Sequence, residues 1–77
     1  MKLTLYMRPG CHLCDDARTQ MLALGLTWDE VDIDGDDVLQ EKFFLRIPVI
    51  ELDGRIVAEG NLSGLPLGEL LRTEANR

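Results

Sequence analysis

The hydrophobic and polar positions of this chain change period several times, and each change marks the start of a predicted element. Over residues 2–7 apolar side chains alternate with Thr and Tyr and leave both faces largely apolar, as in a central strand. Arg8-Pro9-Gly10 then predicts a loop. From Cys11 onward the spacing becomes helical, and Gly25 is placed to end the helix in the left-handed conformation. The apolar residues predicted to share one face of this helix are Leu13, Ala17, Met21 and Leu24.

The next segment predicts a strand and a second helix. A strand is predicted over Leu26–Ile33 because its apolar residues are bounded by turn residues on both sides. Together with the first strand and helix it would form a βαβ unit, whose crossover is right-handed in nearly all proteins. A turn follows at residues 34–37, where Asp34 or Asp36 can cap a helix predicted over residues 37–44.

The last third of the chain predicts a hairpin and a final helix. Two short apolar strands, at residues 47–52 and 55–58, flank Asp53-Gly54. This dipeptide is the strongest local signal for a two-residue hairpin with a type I′ turn. Ser63 is the predicted N-cap of the last helix, and Pro66 would lie inside its first turn.

The predicted order β-α-β-α-β-β-α over residues 1–77 is that of one α/β domain. The net charge of -6 and the pI of about 4.5 argue against a general nucleic-acid binder and against an anionic membrane surface as the partner. No apolar run approaches the roughly 20 residues of a membrane span. Residues 1–6 are too few and too polar for a secretion signal, so we expect a cytoplasmic protein.

Both cysteines of the chain lie in Cys11-His12-Leu13-Cys14, at the start of the first predicted helix. In a reducing compartment such a pair is more often catalytic or metal-binding than structural. Thiol-disulfide exchange needs an attacking thiolate and a second thiol that resolves the mixed disulfide. The positive end of the helix dipole favours the thiolate of Cys11, and Cys14 lies one turn further in and is shielded. We therefore predict Cys11 as the nucleophile and Cys14 as the resolving cysteine.

Other residues of this segment would tune the site. Arg8 would favour the thiolate if its guanidinium folds over the site, whereas Asp15 and Asp16 would disfavour it, and the sequence leaves this balance open. His12 is either an exposed side chain between the cysteines or, when protonated, a modulating charge that makes the pair more oxidising.

The Cys-x-x-Cys spacing has three other known uses. The pair can be structural without a redox role. A zinc site needs four ligands, and Cys11, Cys14 and His12 are the only soft ligands, so a dimer would have to complete it. Haem attachment needs a histidine directly after the second cysteine, where this chain has Asp15, and is excluded.

An acidic stretch over residues 29–37 lacks the ligand spacing of a calcium loop, so no metal site is predicted.

Several motifs together resemble the glutaredoxin-like proteins of the thioredoxin superfamily, in particular short bacterial members with a Gly-Cys-His-Leu-Cys type of motif. They are Tyr6-x-Arg8-x-Gly10-Cys11-x-x-Cys14, Arg46-Ile47-Pro48-Val49-Ile50, Asp53-Gly54 and Gly60. The resemblance covers nearly the whole chain. It implies a four-stranded mixed sheet in the order 2-1-3-4 with the last strand antiparallel and helices on both faces. It also implies that the Ile47-Pro48 bond is cis and faces the cysteines, where the backbone of Ile47 can pair with an extended substrate or glutathione.

The implied activity is that of a dithiol oxidoreductase that reduces protein disulfides or glutathione mixed disulfides. The resemblance suggests Arg8, Ile47, Pro48, Gly60 and Asn61 as the residues that bind substrate or glutathione. No tightly bound cofactor is expected, and glutathione is a candidate co-substrate. The expected substrate is a disulfide-containing protein or glutathione, and the expected electron donor is a reductase or glutathione. The protein itself is expected to be a monomer.

The chain also departs from typical glutaredoxins. They have Pro-Tyr between the cysteines, where this chain has His12-Leu13, and a Gly-Gly pair with an acidic residue before the last helix. Only Gly60-Asn61 stands in that second region. A protein therefore remains an alternative to glutathione as electron donor. The alternative function is a non-catalytic binding module that holds glutathione, a partner peptide or an iron–sulfur cluster shared across a dimer.

Overall fold

The computed structural model describes residues 2–76 and has the predicted order of strands and helices. The strands are β1 (Leu3–Met7), β2 (Asp29–Asp32), β3 (Val49–Leu52) and β4 (Arg55–Glu59). The helices are α1 (His12–Ala23), α2 (Asp37–Phe43) and α3 (Leu67–Ala75), and a single 3₁₀ turn over Ile33–Gly35 connects β2 to α2. Within residues 2–76 no helix has the length and apolar character needed to cross a bilayer.

The strands form one four-stranded mixed sheet in the order β2-β1-β3-β4, as the resemblance implied. β1 pairs with β2 in parallel and with β3 in antiparallel orientation. β4 is antiparallel to β3, as expected for a hairpin. The resemblance implied that the last strand is antiparallel, and β4 is antiparallel to its neighbour. β3 runs opposite to the other three strands, because it begins at the end of the sheet where β1 and β2 end.

The two faces of the sheet are covered by different helices because side chains alternate along each strand. On one face α1 and α3 pack over Leu5 and Ile50, in a core that includes Met21 and Leu71. On the other face α2 supplies Phe43, which packs in a second core with side chains of β3 and of the loop before it. The start of α1 reaches this second core as well. Cys14 therefore packs against the face of the sheet that α2 covers.

The predicted turns and the α2 cap are present. Asp53 and Gly54 both have positive φ, at 51° and 87°, as a type I′ turn requires. Gly25, with φ of 72°, follows the end of α1. Of the two candidate caps it is Asp36 that begins α2, since its carboxylate accepts hydrogen bonds from the backbone N–H groups of Val38 and Leu39.

Three local expectations were wrong. Leu24 is exposed, and Cys14 is the residue that joins Ala17 and Met21 on the buried face of α1. The strand predicted from Leu26 begins only at Asp29, which is the first residue of β2 that pairs with β1. Ser63 does not cap α3.

The region around Ser63 forms a turn instead of a helix start. The Asn61 carboxamide accepts a hydrogen bond from the N–H of Ser63, and Gly64 has a positive φ of 80°. These two features bend the chain before a helix can begin. α3 therefore starts after Pro66, without a side-chain cap.

Candidate active site

Cys11 stands at the N-terminal end of α1 and is half-buried. It is the N-cap residue of the helix, with extended φ and ψ of -83° and 110°. Its Sγ accepts a hydrogen bond from the backbone N–H of Cys14 at 3.2 Å. Its own N–H donates to the carbonyl oxygen of Arg8 at 3.3 Å, which ties the preceding loop to the helix. A sulfur in the N-cap position receives the unpaired N–H groups and the positive dipole end of the helix, and both stabilise its thiolate.

Cys14 is fully buried one turn into the helix. Burial raises the pKa of its thiol from the ordinary range to about 12, and the hydrogen bond with Cys11 and the charge on that sulfur act in the same direction. A hydrogen bond with the backbone of Arg8 and the positive charge of Arg18 lower it by less. The two cysteines therefore differ strongly in access to solvent, and Cys14 remains a thiol at neutral pH. Neither cysteine is in a disulfide in this structure.

The charged residues around Cys11 are paired with one another. The guanidinium of Arg8 lies 3.1 Å from the carboxylate of Asp34. Asp15 is paired with Arg18 at 2.7 Å, and Arg18 also pairs with Glu30. These ion pairs weaken the opposing effects of Arg8 and Asp15 that the sequence left open. The helix terminus favours the thiolate of Cys11 independently of them.

His12 projects into solvent, with 89% of its side chain exposed. Its Nε2 lies 3.8 Å from the carboxylate of Asp16, one turn along α1. This placement agrees with the interpretation of an exposed side chain between the cysteines. An electrostatic effect on the thiolate would have to act through solvent, where salt screens it.

The residues that the resemblance suggested for substrate binding lie in two different situations. Ile47 and Pro48 are buried, the bond between them is cis, and Ile47 packs in the same core cluster as Cys14. Gly60 adjoins them, because its N–H lies 2.9 Å from the carbonyl oxygen of Pro48. Asn61 is exposed, and its side chain is used in the turn described above. The structure therefore brings Ile47, Pro48 and Gly60 together, whereas the side chain of Asn61 is exposed to solvent.

Two features of the site were not recognised in the sequence. Tyr6 packs against Phe43 with ring centroids 4.8 Å apart and the ring planes tilted by 36°, and both cysteines pack in the same core cluster as this pair. Beside it an open groove of about 370 Å³ runs between the loop before Cys11 and the exposed side of α2. The residues that line the groove are Arg8, Asp37, Gln40, Glu41 and Phe44. Their spacing of three, one and three residues along α2 places the last four on one helix face, and this signal was available in the sequence.

The acidic stretch over residues 29–37 does not form a metal site in the described structure. No group of three or more His, Cys, Asp or Glu side chains within residues 2–76 comes together in a way that could hold a metal ion. The carboxylates are used individually. Asp32 and Asp36 accept hydrogen bonds from backbone N–H groups, and Asp34 pairs with Arg8.

The difference between the cysteines predicts a selective alkylation. With reduced protein between pH 7 and pH 9, iodoacetamide should modify Cys11 first and Cys14 roughly a hundredfold or more slowly, because a thiol with a pKa of about 12 forms very little thiolate there. Mass spectrometry of quenched samples gives both rates. Raising the pH toward 12 should accelerate the modification of Cys14, and the same protein in concentrated urea should lose the difference. Equal rates in the folded protein at pH 8 would contradict this assignment.

Comparisons with known proteins give the family of this chain. Residues 2–72 match the family model described as Glutaredoxin-like domain (DUF836). Among solved structures, the X-ray structure of the protein XcR50 from X. campestris is similar, with 34% identity, a TM-score of 0.82, and coverage of 92% of this chain and 96% of that one. The solution structure of the protein Ne2328 from Nitrosomonas europaea has 26% identity, a TM-score of 0.74 and coverage of 88% and 87%. No curated protein matches significantly. The match over nearly the whole chain, together with the sheet order and the cysteine pair at the start of α1, shows that the protein belongs to the glutaredoxin-like family of the thioredoxin superfamily.

Proposed function

We propose that the protein is a thiol-disulfide oxidoreductase that reduces protein disulfides or glutathione mixed disulfides through Cys11 and Cys14. One observation carries the proposal. The half-buried sulfur of Cys11 accepts the N–H of Cys14 at a helix N-terminus, while the thiol of Cys14 is buried directly behind it. This arrangement separates an attacking sulfur from a resolving sulfur, which is what dithiol exchange requires.

In the first step the thiolate of Cys11 attacks one sulfur of the substrate disulfide. The disulfide bond of the substrate breaks, its second sulfur leaves as a thiolate, and a mixed disulfide joins Cys11 to the substrate. The N–H of Cys14 and the helix dipole stabilise the attacking thiolate in the free protein. These interactions also hold the sulfur at the helix N-terminus.

In the second step Cys14 gives up its proton, which the thiolate released in the first step or solvent takes up, and its sulfur attacks the sulfur of Cys11. The bond between Cys11 and the substrate breaks, the reduced substrate leaves as a thiolate, and the protein is left with a Cys11–Cys14 disulfide. Once Cys11 is in the mixed disulfide it no longer carries a negative charge, and the contributions of that charge and hydrogen bond to the high pKa of Cys14 disappear. Formation of the mixed disulfide therefore lowers the pKa of Cys14 only in part, because burial, its largest cause, remains.

The segment Ile47-Pro48 is the proposed contact for the substrate chain. The N–H of Ile47 already donates to the carbonyl oxygen of Phe43 at 3.0 Å. The N–H of Ile47 is therefore not available to an extended substrate. The carbonyl oxygen of Ile47 can accept a hydrogen bond from a backbone N–H of the substrate. This is a narrower role than the sequence suggested. Gly60 supports it through its hydrogen bond to Pro48.

A reductant must return the disulfide to the dithiol, and we propose glutathione or a reductase protein for this role. Two electrons and two protons restore both thiols. The cycle uses no bound cofactor, since the cysteines themselves carry the electrons. We propose that the protein works as a monomer. The proposed compartment is the cytoplasm, because a reducing compartment maintains the dithiol.

A redox titration tests the proposal. The protein is equilibrated with mixtures of reduced and oxidised glutathione, quenched, and alkylated so that each oxidation state has its own mass. We expect a reversible two-electron transition between roughly −180 and −270 mV, the range spanned by folding and cytosolic oxidoreductases. Glutathione adducts at intermediate potentials would support glutathione as the donor. A pair that stays reduced or stays oxidised in all mixtures would exclude catalysis and leave a binding module.

A further inference from the structure

The groove beside α2, lined by Arg8, Asp37, Gln40, Glu41 and Phe44, shares one residue with the loop that precedes the proposed nucleophile. Arg8 is part of its wall, and the carbonyl oxygen of the same residue accepts the N–H of Cys11. With a volume of about 370 Å³ and an open side, the groove has room for one or two side chains of a substrate. A substrate whose disulfide reaches Cys11 can therefore extend a neighbouring side chain into this groove.

The groove has an excess of negative charge. The cation among its lining residues, Arg8, is already paired with Asp34, and Gln40 donates a hydrogen bond to the same carboxylate at 3.1 Å. Asp37 and Glu41 are exposed and supply two further negative charges. Residues 34–41 contain four carboxylates and no cation. An anion that entered the groove would meet repulsion and would have to displace Asp34 from Arg8.

The other cations of this region are held away from the groove. Lys42 lies 5.0 Å from the centroid of the Phe43 ring, on a side of α2 that does not line the groove. Arg46 is paired with Glu59 at 2.6 Å. Neither residue lines the groove, and among the residues that the structure describes no ion pair joins either of them to Asp37 or Glu41.

The groove also has an apolar wall. Phe44 is 50% exposed at the end of α2, whereas its neighbour Phe43 is buried. An exposed aromatic ring next to carboxylates suits the side chains of lysine and arginine, which combine an apolar stem with a cationic head. The ring can hold the stem or the cation while Asp37 or Glu41 binds the charge.

From this geometry we infer that the substrates of the enzyme are proteins whose reactive disulfide is flanked by lysine or arginine, and that glutathione disulfides are poor substrates. Glutathione carries two carboxylates and one ammonium group, so its net charge is negative, and it needs a cation that this groove does not offer. The inference rests on the proposed oxidoreductase function and specifies its substrate class. The charges act mainly on the association rate, as charges at the rim of a binding site do.

Competing disulfides test the inference. Reduced protein is mixed at low ionic strength with peptides that share one disulfide core and differ only in flanking residues, either two lysines or two glutamates. Oxidised glutathione and the uncharged hydroxyethyl disulfide are measured in parallel, and stopped-flow mixing gives the second-order rate constants. We expect the lysine peptide to react about tenfold or more faster than the glutamate peptide and glutathione disulfide. This ratio should fall toward one in 0.5 M salt.

Two variants with the same change in net charge locate the effect. Glu41→Lys, in the groove, should remove or reverse the preference for the lysine peptide. Glu69→Lys is the matched control, because Glu69 is exposed on α3, which packs on the opposite face of the sheet. It should keep most of the preference. Circular dichroism of both variants checks that they are folded, and the double variant Asp37→Asn/Glu41→Gln removes the charges without adding a cation.

The outcomes separate the two proposals. If wild-type protein does not reduce even the uncharged disulfide, the oxidoreductase function itself is wrong. If it reduces the uncharged disulfide but treats the two peptides and glutathione disulfide equally, only the substrate inference is overturned. The inference is also overturned if Glu69→Lys reduces the preference as much as Glu41→Lys does, since overall charge and not the groove would then explain it.

Discussion

Replacing Cys11 by serine should lower disulfide reductase activity by more than roughly a thousandfold, because a serine hydroxyl does not form an attacking anion at neutral pH. The substitution changes one atom at an N-cap position that serine also occupies well, so α1 and the fold should be retained. Activity is measured with a peptide disulfide coupled to excess reductant. Thermal unfolding of the variant shows whether the loss comes from chemistry. A folded Cys11→Ser protein with substantial activity would exclude Cys11 as the nucleophile.

The matched control is Cys14→Ser, which should separate the two steps of the reaction. Its Cys11 can still attack, so the first thiolate is released in a single burst. The mixed disulfide then has no resolving thiol within the protein and should accumulate as a species with the added mass of the substrate. Slow turnover can continue only if an external thiol resolves it. Failure to trap any adduct, with activity close to wild type, would show that Cys14 is not the resolving cysteine.

The parts of the fold that were predicted correctly depend on interactions between residues close in sequence. Asp53-Gly54 forms the expected turn because its two positive φ angles are available to glycine and tolerated by aspartate. Asp36 caps α2 through hydrogen bonds to backbone groups two and three residues later. Such choices need no knowledge of the rest of the molecule. The order of the strands, by contrast, came from the resemblance to a family.

The parts that were missed depend on groups distant in sequence or on competition between neighbours. Ser63 is a good cap residue, but Asn61 engages its N–H and Gly64 turns the chain first. The sequence left open whether the Arg8 guanidinium folds over the cysteines. In the structure the loop after β1 and the turn after β2 meet at one edge of the sheet, where Asp34 pairs with Arg8. The sequence contains both charges but does not show that they meet.

The burial of Phe43 and the exposure of Phe44 give a stability prediction with a built-in control. Phe43 is 1% exposed, stacks on Tyr6 and shares a core cluster with Cys14, Ile33 and Val49. Phe43→Ala should lower the free energy of unfolding by about 3–5 kcal/mol, since it removes buried apolar surface and leaves a cavity. In a domain of this size that is a large part of the total, so we expect a fall in Tm of more than about 10 °C.

Phe44→Ala removes the same side chain one residue later, at a position that is half exposed. It should cost less than about 1 kcal/mol, because little buried contact is lost. Urea unfolding of both variants measures the difference, and alkylation of Cys14 adds a second readout. Since Phe43 lies in the cluster that covers Cys14, its removal should speed modification of Cys14 in the folded protein at pH 8, whereas Phe44→Ala should not. Equal destabilisation by the two substitutions would mean that the second core is not organised around Phe43, and the shielding of the resolving cysteine would need another explanation.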